Sequence, residues 1–115
     1  MFHIIYVICN LFNANTIWDE GNLIFEDFNG DISQWDVSNV KNMKYMFNYC
    51  EHFNCDISGW DVSNVTNMDS MFVNCEKFNQ DLSKWDVSNV EDMTCTFNFC
   101  LTQPEWYNED KWKRY

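Results

Sequence analysis

The chain has 115 residues, enough for one domain. Its formal net charge of −11 argues against a nucleic-acid backbone or an anionic membrane surface as partner, since both need clustered lysine and arginine. A hydrophobic fraction of 46% with 18% aromatic residues excludes a disordered tail, and one proline and three glycines leave no linker to divide the chain, so a single domain over 1–115 is expected.

The first element is the apolar run "MFHIIYVICNLF". It is too short to span a bilayer, and it lacks the basic start and small-residue cleavage site of a standard secretory signal. Ile4 to Phe12 reads as a buried strand-like stretch, with a vestigial signal as the alternative. Counting back one repeat period makes residues 3–27 a degenerate first coil or cap.

From Phe28 onward the chain repeats. "SQWDVSNVKNM" from Ser33 returns as "SGWDVSNVTNM" from Ser58 and "SKWDVSNVEDM" from Ser83. Trp35, Trp60 and Trp85 are 25 residues apart, as are Met43, Met68 and Met93; Phe47, Phe72 and Phe97; and Cys50, Cys75 and Cys100. A strict period of this size is the mark of a solenoid, whose coils bury their apolar faces only against one another. The units are 28–52, 53–77 and 78–100, followed by a polar tail, 101–115, that carries the only proline and several aromatic anchors, and is expected to cover the open end or fray.

Within a unit, Ile32-x-x-Trp35-x-Val37 has the spacing of a leucine-rich-repeat core, with Trp35 and Val37 on one face of a short strand. From Val40 the spacing changes to three and four. Val40, Met43, Phe47 and Cys50 then fall on one arc of a short helix, with Ser38 or Asn39 as its N-cap and Lys41, Asn42 and Tyr45 facing solvent. The expected fold class is thus an α/β repeat solenoid, leucine-rich-repeat-like, with one short strand and one short helix per coil. Trp35, Trp60, Trp85, Met43, Met68, Met93, Phe47, Phe72 and Phe97 form its structural core. Asn39, Asn64 and Asn89 are expected to form a ladder, each bonding the backbone of the neighbouring coil, and so are Asn29, Asn54 and Asn79.

No catalytic constellation emerges. Ser38, Ser63 and Ser88 recur as turn residues, and a nucleophile is not normally triplicated. The only histidines are His3 and His52, and no Cys-x-x-Cys exists, so no metal site and no cofactor are expected. The Cys50 column reads as buried thiols, leaving Cys55 and Cys95 as the more reactive positions. Asp36, Asp61 and Asp86 form one outward column, and Asp31, Asp56 and Asp81 another. Their repulsion needs an offset: turn N–H groups or solvent, a partner's basic patch, or calcium. The outward positions Gln34, Asp36, Gly59, Asp61, Lys84 and Asp86 are the candidate binding face, and its acidity points to a basic or polar protein partner. Coil ends with unpaired edges can also stack between chains.

The segment "FNCDISGWDVSNVTNMDSMFVNCEKFNQDLSKWDVSNV" resembles the BspA-like leucine-rich repeat surface proteins, in particular the repeat of Mycoplasma lipoproteins, over residues 28–100. The resemblance implies a solenoid used for protein–protein contact or adhesion at a surface, with no catalytic residues to transfer. A structural spacer, or a decayed fragment of a longer array, is the alternative.

Overall fold

The structure, a computed structural model, describes residues 30–112. The degenerate coil at 3–27, the apolar stretch Ile4 to Phe12, Phe28, Asn29 and the last three residues lie outside the described residues.

Each unit is a string of hydrogen-bonded turns. The Trp35, Trp60 and Trp85 amides each donate to the carbonyl three residues back, at 3.1 Å, and Val40, Val65 and Val90 do the same at 2.9–3.0 Å. Met46 donates to Met43, Cys50 to Phe47 and Phe53 to Cys50, at 2.9–3.1 Å. The apolar pairs Ile32/Trp35, Val37/Val40, Met43/Met46, Phe47/Cys50 and Cys50/Phe53 are therefore the first and last residues of successive turns. Two residues separate the members of each pair.

This corrects the expected helix over Val40–Cys50, and with it the Ser38 or Asn39 N-cap. An i, i+3 apolar spacing is common to one face of a helix and to a chain of four-residue turns. What decides between them here is the destination of the alternate amides. The amides of Met43, Tyr45, Phe47 and Tyr49 do not bond within their own unit. They donate to Asn67, Asp69, Met71 and Val73 of the next one, at 2.7–2.9 Å. Met68, Ser70, Phe72 and Asn74 repeat this toward Asp92, Thr94, Thr96 and Asn98 at 2.8–2.9 Å.

Tyr45, Tyr49, Ser70, Asn74, Cys95 and Phe99 have positive φ of 56–63°. In the Met43–Met46 and Phe47–Cys50 turns the positive φ falls on the third residue, as in type II turns. For a residue other than glycine this costs roughly 1–2 kcal/mol. Five of the six offset it by donating their amides across the unit boundary: four to the next unit, and Cys95 to Trp112 O at 3.1 Å.

The expected strand at Trp35–Val37 is replaced by two turns, Ile32–Trp35 and Val37–Val40. The parallel bridges lie elsewhere, between Asn42 and Asn67 and between Asn67 and Asp92. Asn42, Asn67 and Asp92 are half-buried rather than solvent positions, and each side chain accepts from the amide two residues on, at 2.9 Å.

The core is a stack of aromatic rings. Phe47, Phe72 and Phe97 lie 5.6 and 5.2 Å apart, and Phe53 and Phe78 lie 5.5 Å apart at 3°. The two columns touch at 4.1 Å (Phe47 and Phe53) and 4.8 Å (Phe72 and Phe78). These spacings match the separation of hydrogen-bonded neighbouring chains, about 4.8 Å, so one unit-to-unit step satisfies both rings and ladder. Met43, Met68 and Met93 are buried, as are Trp60 and Trp85, while Trp35 is half-buried and stacks on Trp60 at 6.4 Å.

Tryptophan also contributes a donor. Trp60 Nε1 donates to Ile32 O at 3.0 Å and Trp85 Nε1 to Ile57 O at 3.1 Å, each reaching back one unit. Trp106 in the tail does the same to Leu82 O at 2.9 Å. Trp106 and Tyr107 pack edge-on against Phe97 at 5.7 and 5.1 Å, so the tail covers the third unit's aromatic face. The tail holds one helical turn, α1 (Glu109–Trp112).

Candidate functional site

The six outward residues Gln34, Asp36, Gly59, Asp61, Lys84 and Asp86 are all exposed. They sit on turns rather than on a strand face, and they recur once per unit because the turns do. A Cβ added to Gly59 meets nothing within 4 Å, so this position takes side chains as different as Gln34 and Lys84 without disturbing the fold.

The aspartates beside them have a local duty. Asp36 Oδ1 accepts from Ser38 N at 3.0 Å and Ser38 Oγ at 2.6 Å. Asp61 binds Ser63 at 3.0 and 2.5 Å, and Asp86 binds Ser88 at 3.1 and 2.6 Å. The second column is built the same way: Asp31 on Ser33, Asp56 on Ser58 and Asp81 on the Ser83 amide, with amide distances of 2.9–3.1 Å. Asp-x-Ser is thus a self-capping turn in which the carboxylate takes both the amide and the hydroxyl two residues on.

These serine bonds hold all six carboxyls below the ordinary carboxylate range. At Asp61 the neighbouring Asp86 and Asp36 push weakly the other way, so the column does feel its own repulsion. Lys84 adds to the lowering at Asp81. The turn groups therefore supply the offset, and the face stays ionised at neutral pH. Among the described residues no group of three His, Cys, Asp or Glu side chains is placed to hold a metal ion. No described helix is long and apolar enough to cross a membrane.

The asparagines act between units. Asn64 Nδ2 donates to Ser38 O at 2.7 Å and Asn89 Nδ2 to Ser63 O at 2.6 Å, although Asn39, Asn64 and Asn89 are themselves exposed. Asn54 Oδ1 accepts from Asn79 N at 3.0 Å and from Gln80 Nε2 at 3.1 Å.

The thiols are part of the packing. Cys75 Sγ donates to Phe47 O at 3.0 Å and Cys100 Sγ to Phe72 O at 2.9 Å. Burial pushes Cys50 up to about 12 and Cys100 up to about 11, and raises Cys75 further. Cys55 and Cys95 are half-buried rather than exposed. Cys55 is also raised, first by desolvation and then by Asp31, with which it shares a 3.7 Å hydrogen bond. A raised thiol holds less of the reactive thiolate at neutral pH. All five described cysteines are free. His52 is exposed.

Two features went unforeseen. Asp69, 2% exposed, lies 3.6 Å from Lys44 Nζ and accepts from Ser70 Oγ at 2.7 Å. Lys44 and Asp69 are one period apart, so aligning the units and reading charge down each column reveals the pair. Thr96 stands where the earlier units have Met46 and Met71; it is fully buried and its hydroxyl lies 2.9 Å from Met68 O and 2.7 Å from Met93 O. Of the two expectations for the tail, the aromatic residues Trp106 and Tyr107 dock on Phe97 rather than fray, although their spacing departs from the 25-residue period.

A family model described as "Mycoplasma protein of unknown function, DUF285" matches residues 9–110. No curated protein and no solved structure matches the chain.

Proposed function

The chain belongs to this Mycoplasma family, and on that premise we propose that it is a short repeat solenoid of the BspA-like leucine-rich-repeat kind, a non-enzymatic module for protein–protein interaction or adhesion at a surface. The binding face is the run of outward turns bearing Gln34, Asp36, Gly59, Asp61, Lys84 and Asp86, and the partner is a protein of basic or polar chemistry.

One observation carries the reading. The same exposed, ionised Asp recurs in register on three successive turns, while the residue two places before it changes freely among Gln34, Gly59 and Lys84. Repeat proteins distribute their contacts over such faces, whereas a catalytic group occurs once.

A second reading, a spacer or decayed array fragment with no ligand, is favoured by the same hydrogen bonds, because each carboxylate already has a use in its own turn. Changing Asp36, Asp61 and Asp86 together to Asn separates the two. Asparagine Oδ1 still accepts from the Ser38, Ser63 and Ser88 amides, so the turns survive and the charge goes. Proteins captured from a cell-surface extract are purified and titrated against both forms. A partner that binds the native chain and loses at least about tenfold in affinity for the triple variant, about 1.4 kcal/mol, supports the interaction module. No partner above background supports the spacer, and equal binding by both forms overturns the outward turn face as the site.

A further inference from the structure

The tail leaves the third unit by a short path. Cys100 holds the place of Cys75, since each thiol donates to a carbonyl 28 residues back, at 2.9 and 3.0 Å. Trp106 holds the place of Trp60 and Trp85, since its indole makes the same bond to the preceding unit. Between those two places the earlier units take ten residues, Cys50 to Trp60 and Cys75 to Trp85, and the tail takes six. This shorter strap does not lie on the surface beneath it. Thr102–Glu105 stand off from Phe78–Ser83 across a groove of about 450 Å³. Leu101, Thr102 and Gln103 are exposed, and none of the three hydrogen-bonds a described residue.

The root of the strap is strained and apolar. Phe99 holds a φ of 61°, and its amide, unlike those of the other five positive-φ residues, donates to no described residue, so nothing offsets that conformation. Phe99 and Leu101 are 75% and 73% exposed, the most exposed large apolar side chains among the described residues. Beyond the strap the tail is firmly docked: Trp106 and Tyr107 pack edge-on against Phe97, and Trp112 O accepts from Cys95 N at 3.1 Å. A well-docked end segment on a short, strained and exposed connection is the arrangement from which exchange between copies starts. Every docked contact is remade with the neighbour's segment, and the connection relaxes by running straight across.

We propose that the tail is an exchange arm, and that two copies of the chain swap it, each arm docking on the third unit of the other to give a twofold symmetric dimer. Trp106 then donates to the other copy's Leu82 O and packs on the other copy's Phe97, while Cys95 N bonds the other copy's Trp112 O. The two straps run side by side between the copies. Phe99 and Leu101, at the root of each strap, meet their counterparts and form the one contact that the single chain lacks. The swap leaves the turns bearing Asp36, Asp61 and Asp86 untouched, so it is independent of the binding face proposed above.

The test is sedimentation equilibrium of the full chain in reducing buffer, from micromolar to millimolar, together with nuclear Overhauser contacts in isotope-labelled and unlabelled chain refolded as a mixture. The expected result is a monomer–dimer equilibrium in which the labelled Phe97 ring contacts Trp106 and Tyr107 of the unlabelled copy. Inserting Gly-Ser-Gly-Ser between Thr102 and Gln103 restores the longer path, so the arm folds back on its own third unit and dimerisation weakens at least about tenfold. Phe99→Ser with Leu101→Ser keeps every docking residue, removes the contact between straps and weakens it about tenfold as well. Circular dichroism melts of both variants confirm that the fold is kept. A chain that stays monomeric at millimolar concentration overturns the proposal. So does a dimer whose Phe97–Trp106 contacts all lie within one chain, or one that either variant leaves unchanged.

Discussion

The two halves of a repeat unit pair their backbone amides in opposite ways. The Asp31–Val40 half pairs largely within itself: Asp31 and Asp36 cap their own turns, and the Trp35 and Val40 amides bond three residues back. The Met43–Cys50 half sends every second amide to the next unit and holds Tyr45 and Tyr49 at positive φ while doing so. The first half can form as soon as its few residues meet. The second gains its bonds only when a neighbouring unit is present. Stability is accordingly expected to reside in the second half, and surface chemistry in the first.

The sharpest way to break that contrast is Phe72→Ala. Phe72 is fully buried and stacked on Phe47, Phe78 and Phe97, so all three units lose a shared contact. A loss of about 3–5 kcal/mol is expected in urea denaturation, and a loss below about 0.5 kcal/mol, the scale of an ordinary surface change, would mean the ring column is not where stability lies. Trp60→Phe keeps the apolar bulk and removes only the indole donor to Ile32 O, a bond worth about 0.5–1.5 kcal/mol. Ile32 O retains the Trp35 amide, so the same denaturation series should show the lower end of that range.

Asn64→Ala removes the 2.7 Å bond to Ser38 O. A buried orphaned carbonyl costs about 1–3 kcal/mol. Asn64 is exposed, so water replaces the amide and the midpoint should fall by less than that range.

The pH dependence separates the halves again, with the smallest effect per group. Serine bonds depress the folded-state values of Asp31, Asp36, Asp56, Asp61, Asp81 and Asp86. Their contribution is full above the unfolded carboxylate value, about 3.9, and is lost as pH falls through the depressed folded values. The buried thiols act at the other end. Cys50 is raised to about 12 and Cys100 to about 11, so their contribution is full below the ordinary thiol range and is lost as pH rises toward those values. Thermal melts across pH should show both limbs. Changing Asp36, Asp61 and Asp86 to Asn should flatten the acid limb alone, and Cys50→Ala the alkaline limb alone.

Much of the site was legible beforehand. The exposure of Gln34, Gly59 and Lys84 follows from their variation between otherwise identical strings, and the burial of Trp60, Met68 and Phe72 from their invariance and spacing. The Asn64 bond across the unit boundary was legible for the same reason. The helix over Val40–Cys50 was misread because apolar residues three apart serve a helix face and a chain of turns equally. Nothing in Tyr45, Ser70 and Cys95, the residues at one of the positive-φ positions, resembles the glycine that usually announces one. That the tail carries aromatic anchors was legible, but not where Trp106 docks, because the tail breaks the period on which every other inference rested.

By itself, the sequence determined which residues recur and which of them face the interior. Those facts are periodic: a repeat reveals its buried columns by what it keeps constant. That each outward Asp takes the amide of the Ser two residues on, and so offsets its column, came from the structure. Only the tertiary structure decided where the alternate amides of Met43–Cys50 go, and hence that the segment turns instead of coiling into a helix. That outcome depends on acceptors supplied 24 residues later, Asn67 O for Met43 and Met71 O for Phe47. An isolated unit has no such acceptors to offer.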